Sequence, residues 1–203
     1  SFEQTVYTDD VPANALDKYI AVQAERFRNP VLRLFHTELE AVYEEKNRSL
    51  DSDGSLVFET LLSNLFKKHN YGQQTTIGTV EHLKNPSLKE IRKYFNTYYV
   101  PNNMAVILSG DFDPDQAIAK IDKAFSYMKY KEVPPYTFEQ EAPITSPIVK
   151  EVVGPDAESL TIAFRFPSTQ EKDAILAQLV GSILTNGKAG LIDLNLVKKQ
   201  KLL

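Results

Sequence analysis

Pro134, Pro135, Pro143 and Pro147 crowd the stretch from Tyr127 to Pro147, which mixes them with charges and carries no sustained hydrophobic period. Each proline fixes φ and removes a backbone donor, so neither a helix nor a central strand can run through them. Residues 131–147 are therefore expected to be a linker with folded segments on either side.

Upstream, Ser1–Tyr7 reads as a strand, with Phe2 and Val6 on one face. Leu16, Tyr19, Ile20, Ala24 and Phe27 then recur at helical spacing up to Asn29-Pro30. A second helix is expected from about Val31 to Leu50, stopped by Asp51–Gly54, and a third from Leu56 to His69. Ser87, three residues before Glu90, forms a capping box for a helix reaching about Tyr98. Met104–Ser109 is an apolar run short enough for a buried strand. Asp111–Pro114 opens another helix, to about Phe125. Downstream of the prolines, Ile148–Val153 and Ser159–Phe166 read as strands, Lys172–Thr185 as an apolar helix and Asn186-Gly187 as a turn. The order predicts an α/β (α+β) layered fold, a mixed β-sheet flanked by helices.

Composition removes several function classes. The 203 residues hold 27 acidic and 23 basic side chains, a net charge of -4 with no block of either sign. No concentrated basic face marks a nucleic-acid partner, and no apolar run approaches the roughly 20 residues of a membrane span. There is no cysteine, which excludes disulfides, thiol catalysis and cysteine-bound zinc. A cysteine-free chain suits cytoplasm or periplasm equally. Ser1 is not an initiator methionine, and Ile192–Leu203 runs in a helical pattern without a cap, so the chain reads as a piece of a longer protein. No G-x-G-x-x-G, P-loop or G-x-S-x-G elbow occurs.

The acidic helix Thr37–Asn47 holds the remaining chemistry. Glu38 and Glu45 are seven residues apart, so they differ by only about 20° in azimuth and stand about 10.5 Å apart along the axis. They share one face but cannot both grip one ion directly. Spacing alone favours a solvated charged face; the alternative is one ligand with a supporting acid. His36, His69 and His82 stand at no metal-binding spacing to one another, and a zinc site wants at least three protein ligands. His36 and Glu40 fit a surface i,i+4 contact, and His69 a cap near a helix C-terminus.

Several segments, in order, resemble the pitrilysin/insulinase family of zinc metallopeptidases, the inverzincins whose active-site motif is H-x-x-E-H. They are Thr5-Val6-Tyr7, Glu38 and Glu45 with Lys46-Asn47, Tyr71-Gly72 with Thr76-Ile77-Gly78, Tyr98–Met104 (YYVPNNM) and Gly110–Pro114 (GDFDP). The likeness is good over roughly residues 1–130 and loose over 145–203. It implies Zn2+ held by two motif histidines and a glutamate on a later helix. By spacing that glutamate is Glu45, or Glu44 if the register shifts by one, with Glu38 as the supporting acid.

No H-x-x-E-H exists in this sequence. The resemblance therefore implies a fragment of a zinc metalloendopeptidase, inactive alone, whose imidazoles and base lie upstream of Ser1. It also implies duplicated units: residues 1–130 as the C-terminal part of a first and 148–203 as the N-terminal part of a second. In the second, Asp173–Thr185 takes the place of the motif helix without His or Glu. The implied partners are a peptide substrate and the remaining parts of the same polypeptide or a second half-enzyme. The competing reading is a non-catalytic family member, structural or peptide-recognising.

Overall fold

The computed structural model of the chain describes residues 2–201 and divides into two compact units, Ser1–Pro155 and Asp156–Leu203. In the first unit the helices are α1 (Leu16–Arg28), α2 (Phe35–Leu50), α3 (Asp53–Leu65), α4 (Asn70–Gln73), α5 (Val80–Lys84), α6 (Leu88–Tyr98) and α7 (Pro114–Phe125). The helix starts follow side-chain chemistry. Ser87 accepts the backbone N–H of Glu90 at 3.3 Å, and Asp113 accepts that of Gln116 at 2.8 Å, each satisfying a donor the first turn leaves open. Ser52 caps α3 in the same way through Ser55, so that helix begins three residues before its apolar pattern does. Conversely α2 starts four residues later than its pattern, because Leu34 takes a left-handed φ of 56° and breaks the turn.

The layered α/β expectation is overturned: the described residues are helical or irregular and contain no strand or sheet. Residues 2–7, Met104–Ser109, Ile148–Val153 and Ser159–Phe166 all lie outside any ladder, and Ser1 lies outside the described residues. Alternating apolar residues specify which side of an extended segment could be buried, but a strand exists only where a second backbone takes up its N–H and C=O groups. No described segment does so for these runs. Their side chains stand open accordingly, with Ile107 88% exposed and Leu160 84%.

The first unit's core is small and sits where α1 crosses α7. Ile20 and Ala24 of α1, Ala117 of α7 and Val100 are its buried apolar residues. Lys120 donates to Asp17 at 2.6 Å across the same pair of helices, and the Tyr127 hydroxyl donates to the Ala24 carbonyl at 2.7 Å. An aromatic group extends this core: Phe27 stacks on Tyr99 at 5.8 Å, Tyr99 on Phe95 at 4.5 Å, and Tyr7 meets Phe27 edge-on at 5.4 Å. Separately, α2 packs on α3 and α5, and α3 on α4. The helices that carry the candidate residues therefore form a group of their own.

The second unit holds α8 (Lys172–Leu184) and a π-helical turn at Asp193–Val197. Asp193 is buried beneath the turn that follows α8 and organises it. Its carboxylate accepts the Thr185 hydroxyl at 3.0 Å and the backbone N–H groups of Asn186 at 2.9 Å and Gly190 at 3.1 Å. Gly187 takes φ +75°, the left-handed conformation that the Asn186-Gly187 turn requires. Leu202 and Leu203, the end of the expected C-terminal helix, lie outside the described residues.

Candidate functional site

Glu38 and Glu45 both lie on α2, and both are exposed. Glu44, the register alternative, is exposed as well. The inward ridge of the helix is formed by Phe35, Leu39 and Tyr43, all half-buried, and continues into Lys46, which is only 4% exposed. Among the described residues no three His, Asp or Glu side chains gather into a group that could hold a metal ion. A zinc site wants at least three protein ligands, so the described residues do not fit zinc by themselves. What they offer is an unobstructed carboxylate flank.

The charge that is buried in this region is Lys46. Its ammonium donates to Glu59 of α3 at 2.6 Å, with the lysine side chain 5% exposed and the glutamate side chain 33%. Sequence reasoning missed this pair. The available signal was positional: Lys46 follows Leu39 by seven residues, on the ridge where periodicity asks for an apolar side chain. Lys46 and Glu59 border a cavity of about 340 Å3, together with Thr60, Ser63, Tyr71 and Thr75.

His36 is exposed on the first turn of α2, with its ring against Phe35. His69, expected near the C-terminus of the third helix, instead caps the N-terminus of α4. Because α3 stops at Leu65, its Nδ1 is free to accept the Tyr71 backbone N–H at 3.2 Å. The ring is enclosed by Phe66, Tyr71, Tyr136 and Phe138. The last two come from the proline-rich stretch, and Glu141 from the same stretch accepts the backbone N–H groups of Lys68 at 2.6 Å and His69 at 2.9 Å. The Tyr71 hydroxyl donates to the Glu3 carboxylate, and that bond, with partial burial, pushes its pKa up to about 12. His82 lies in α5, its backbone N–H given to Thr79.

The other resemblance segments hold the chain in place. Asn102 donates its amide to the Lys131 carbonyl at 3.0 Å and accepts the Lys131 backbone N–H at 3.3 Å. Asn103 donates to the Tyr98 carbonyl at 2.9 Å. The two asparagines thereby secure the chain after α6 and the segment after α7. The aspartates of Gly110–Pro114 border a cavity of about 300 Å3 beside Asp17 and Lys120, and Asp113 is engaged in capping α7. Among the described residues no helix is long and apolar enough to cross a membrane.

Comparison with known proteins adds the family. The zinc protease PqqE of Helicobacter pylori is 27% identical over 211 residues, an alignment that takes in 100% of this chain and 47% of that protein. An uncharacterized zinc protease of Rickettsia felis is 21% identical over 132 residues, 64% of this chain and 32% of that protein. The chain thus spans about half the length, or less, of these curated relatives. A family model described as the peptidase M16 inactive domain matches residues 86–202, downstream of α2. Together with the pitrilysin-like segments in order along the chain, that match places it: the chain belongs to the peptidase M16 family.

Proposed function

We propose that the chain is part of a zinc metalloendopeptidase, supplying the glutamate wall of a site whose histidine wall lies elsewhere. In this reading Glu45 is the carboxylate ligand and Glu38 the supporting acid two turns earlier. The two imidazoles and the general base come from the remaining parts of the same polypeptide or from a second half-enzyme. Residues 1–130 then close a first peptidase-like unit and 148–203 open a second, non-catalytic one, joined by 131–147, which packs on the first through Tyr136, Phe138 and Glu141. The metal would activate water for peptide hydrolysis. This chain's own contribution is to place a carboxylate and exclude none of the approach to it.

The observation that carries the reading is the joint one of a zinc-protease relative aligned along the whole chain and an exposed flank on α2 that presents both Glu38 and Glu45. The chain alone is then expected to hold no catalytic zinc and to cleave no peptide. Peptidase assays on the longer polypeptide, with and without a chelator, test it. Chelator-sensitive cleavage that the 203-residue chain lacks supports the proposal; chelator-insensitive cleavage, or equal cleavage by the chain alone, overturns it.

A second reading is favoured by one observation, the inactive-domain description of the family model that matches residues 86–202. On it the chain belongs to a non-catalytic member that acts as a structural or peptide-recognition subunit. The same assay separates the two, because such a member gives no cleavage at any length.

A further inference from the structure

We propose that the Lys46–Glu59 ion pair is a positioning device that pins the rotation of α2 about its axis and so holds Glu38 and Glu45 on one outward flank. Its bearing on the metal rests on the ligand role proposed for Glu45; the pin itself does not.

The geometry follows from helix periodicity. At about 100° per residue, Glu45 lies about 100° around the axis from Lys46, and Glu38, eight residues back, about 80° to the same side. Any roll of α2 therefore carries both carboxylates with it. The rest of the inward ridge is Phe35, Leu39 and Tyr43, all half-buried rather than enclosed. Packing of this kind is non-directional and gives weak control of azimuth. Lys46 is different in kind: it is 4% exposed, and its ammonium meets Glu59 at 2.6 Å.

A buried ion pair is a poor source of stability, since an apolar pair of similar volume often packs as well or better. What it adds is registry. Rolled away from Glu59, the Lys46 ammonium would lose its carboxylate partner and keep only neutral neighbours such as Thr60 and Ser63 beside it, which is unfavourable for a charge held out of water. The observed rotation of α2 satisfies it, at 2.6 Å. That rotation is the one in which Glu38 and Glu45 are exposed while Leu39 and Tyr43 turn inward.

Because the chain contains no cysteine, single cysteines introduced along α2 report its azimuth by their alkylation rates. With Lys46 and Glu59 intact, E38C and E45C react fast and L39C and Y43C slowly. The variant K46M/E59M removes the charges while preserving an apolar contact. It is expected to remain folded by thermal unfolding, yet to lose the fast–slow contrast several-fold, and K46R is expected to retain the contrast. An undiminished contrast in a folded K46M/E59M protein overturns the pin. The ligand reading has a separate readout: zinc uptake by the longer polypeptide carrying E45Q. Unchanged uptake there defeats the ligand role and leaves the pin standing, whereas an undiminished contrast in K46M/E59M defeats the pin whatever the zinc result.

Discussion

The Glu141 carboxylate accepts the backbone N–H of His69 at 2.9 Å, joining the proline-rich stretch to the start of α4 across 72 residues of sequence. The same oxygen accepts the N–H of Lys68 at 2.6 Å. Charge-assisted bonds of this kind contribute roughly 1.5–3 kcal/mol where water is excluded, and less at an exposed rim. Glu141→Ala is expected to destabilise the first unit by about 1–2 kcal/mol in urea unfolding and to speed exchange of the Lys68 and His69 amides. Glu141→Gln, which keeps an acceptor, should cost less. Equal losses in both variants would assign the effect to packing.

The Tyr7 and Tyr99 hydroxyls lie 2.9 Å apart. Partial burial comes first, then the hydrogen bond to Tyr99 and the repulsion of a second phenolate, and together they push the Tyr7 pKa up to about 12 against the opposing pull of Arg26. A folded pKa above the unfolded value of about 10 means that this stabilisation is complete below pH 10. It fades as pH rises towards 12. Ultraviolet titration should show two late-ionising tyrosines, Tyr7 and Tyr71, and Tyr99→Phe should move only Tyr7 back towards 10.

Asp193 works in the opposite direction. Its carboxyl is held below the usual range, first by the Asn186 backbone N–H and then by the Thr185 hydroxyl and the N–H groups of Gly190 and Gly187, against the opposing effect of desolvation. A depressed folded pKa contributes stability that is present above about pH 4 and lost as pH falls through the folded value. Protection of the Asn186 and Gly190 amides, after correction for the intrinsic pH dependence of exchange, should fall only at the acid end. Asp193→Asn should give weaker protection that does not vary with pH.

Gly72 faces the backbone carbonyl oxygens of Phe66 and Leu62, and a Cβ built on it collides with both. Backbone cannot swing aside as a side chain can, so Gly72→Ala should displace α4 from the end of α3. A loss of about 1–3 kcal/mol is expected in chemical unfolding, with weakened protection of the Tyr71 amide that His69 caps.

The legibility of this chain divides by range of interaction. Helices with local signals could be read: Ser87 and Asp113 announce α6 and α7, and α8 follows its apolar run closely. Met104–Ser109 and Ser159–Phe166 could not, because a strand is a relation between two backbones and the sequence supplies only one of them. Glu38 and Glu45 were legible as a shared face by spacing. The Lys46–Glu59 pair was not, since a lysine on an apolar ridge declares itself only once α3 is seen to place a carboxylate 2.6 Å away. Likewise Tyr136, Phe138 and Glu141 fell in a stretch read as a spacer, yet they enclose His69 or accept its backbone N–H.

In the proposed role this chain carries one carboxylate ligand of a zinc site and not the site itself. Calorimetric zinc titration tests it most directly, on the chain alone and then on the chain combined with a polypeptide bearing H-x-x-E-H. The chain alone should bind no tight stoichiometric zinc, the combination one zinc per complex, and Glu45→Gln should lose that zinc. Tight one-to-one binding by the chain alone, or a complex that keeps its zinc in Glu45→Gln, would contradict it.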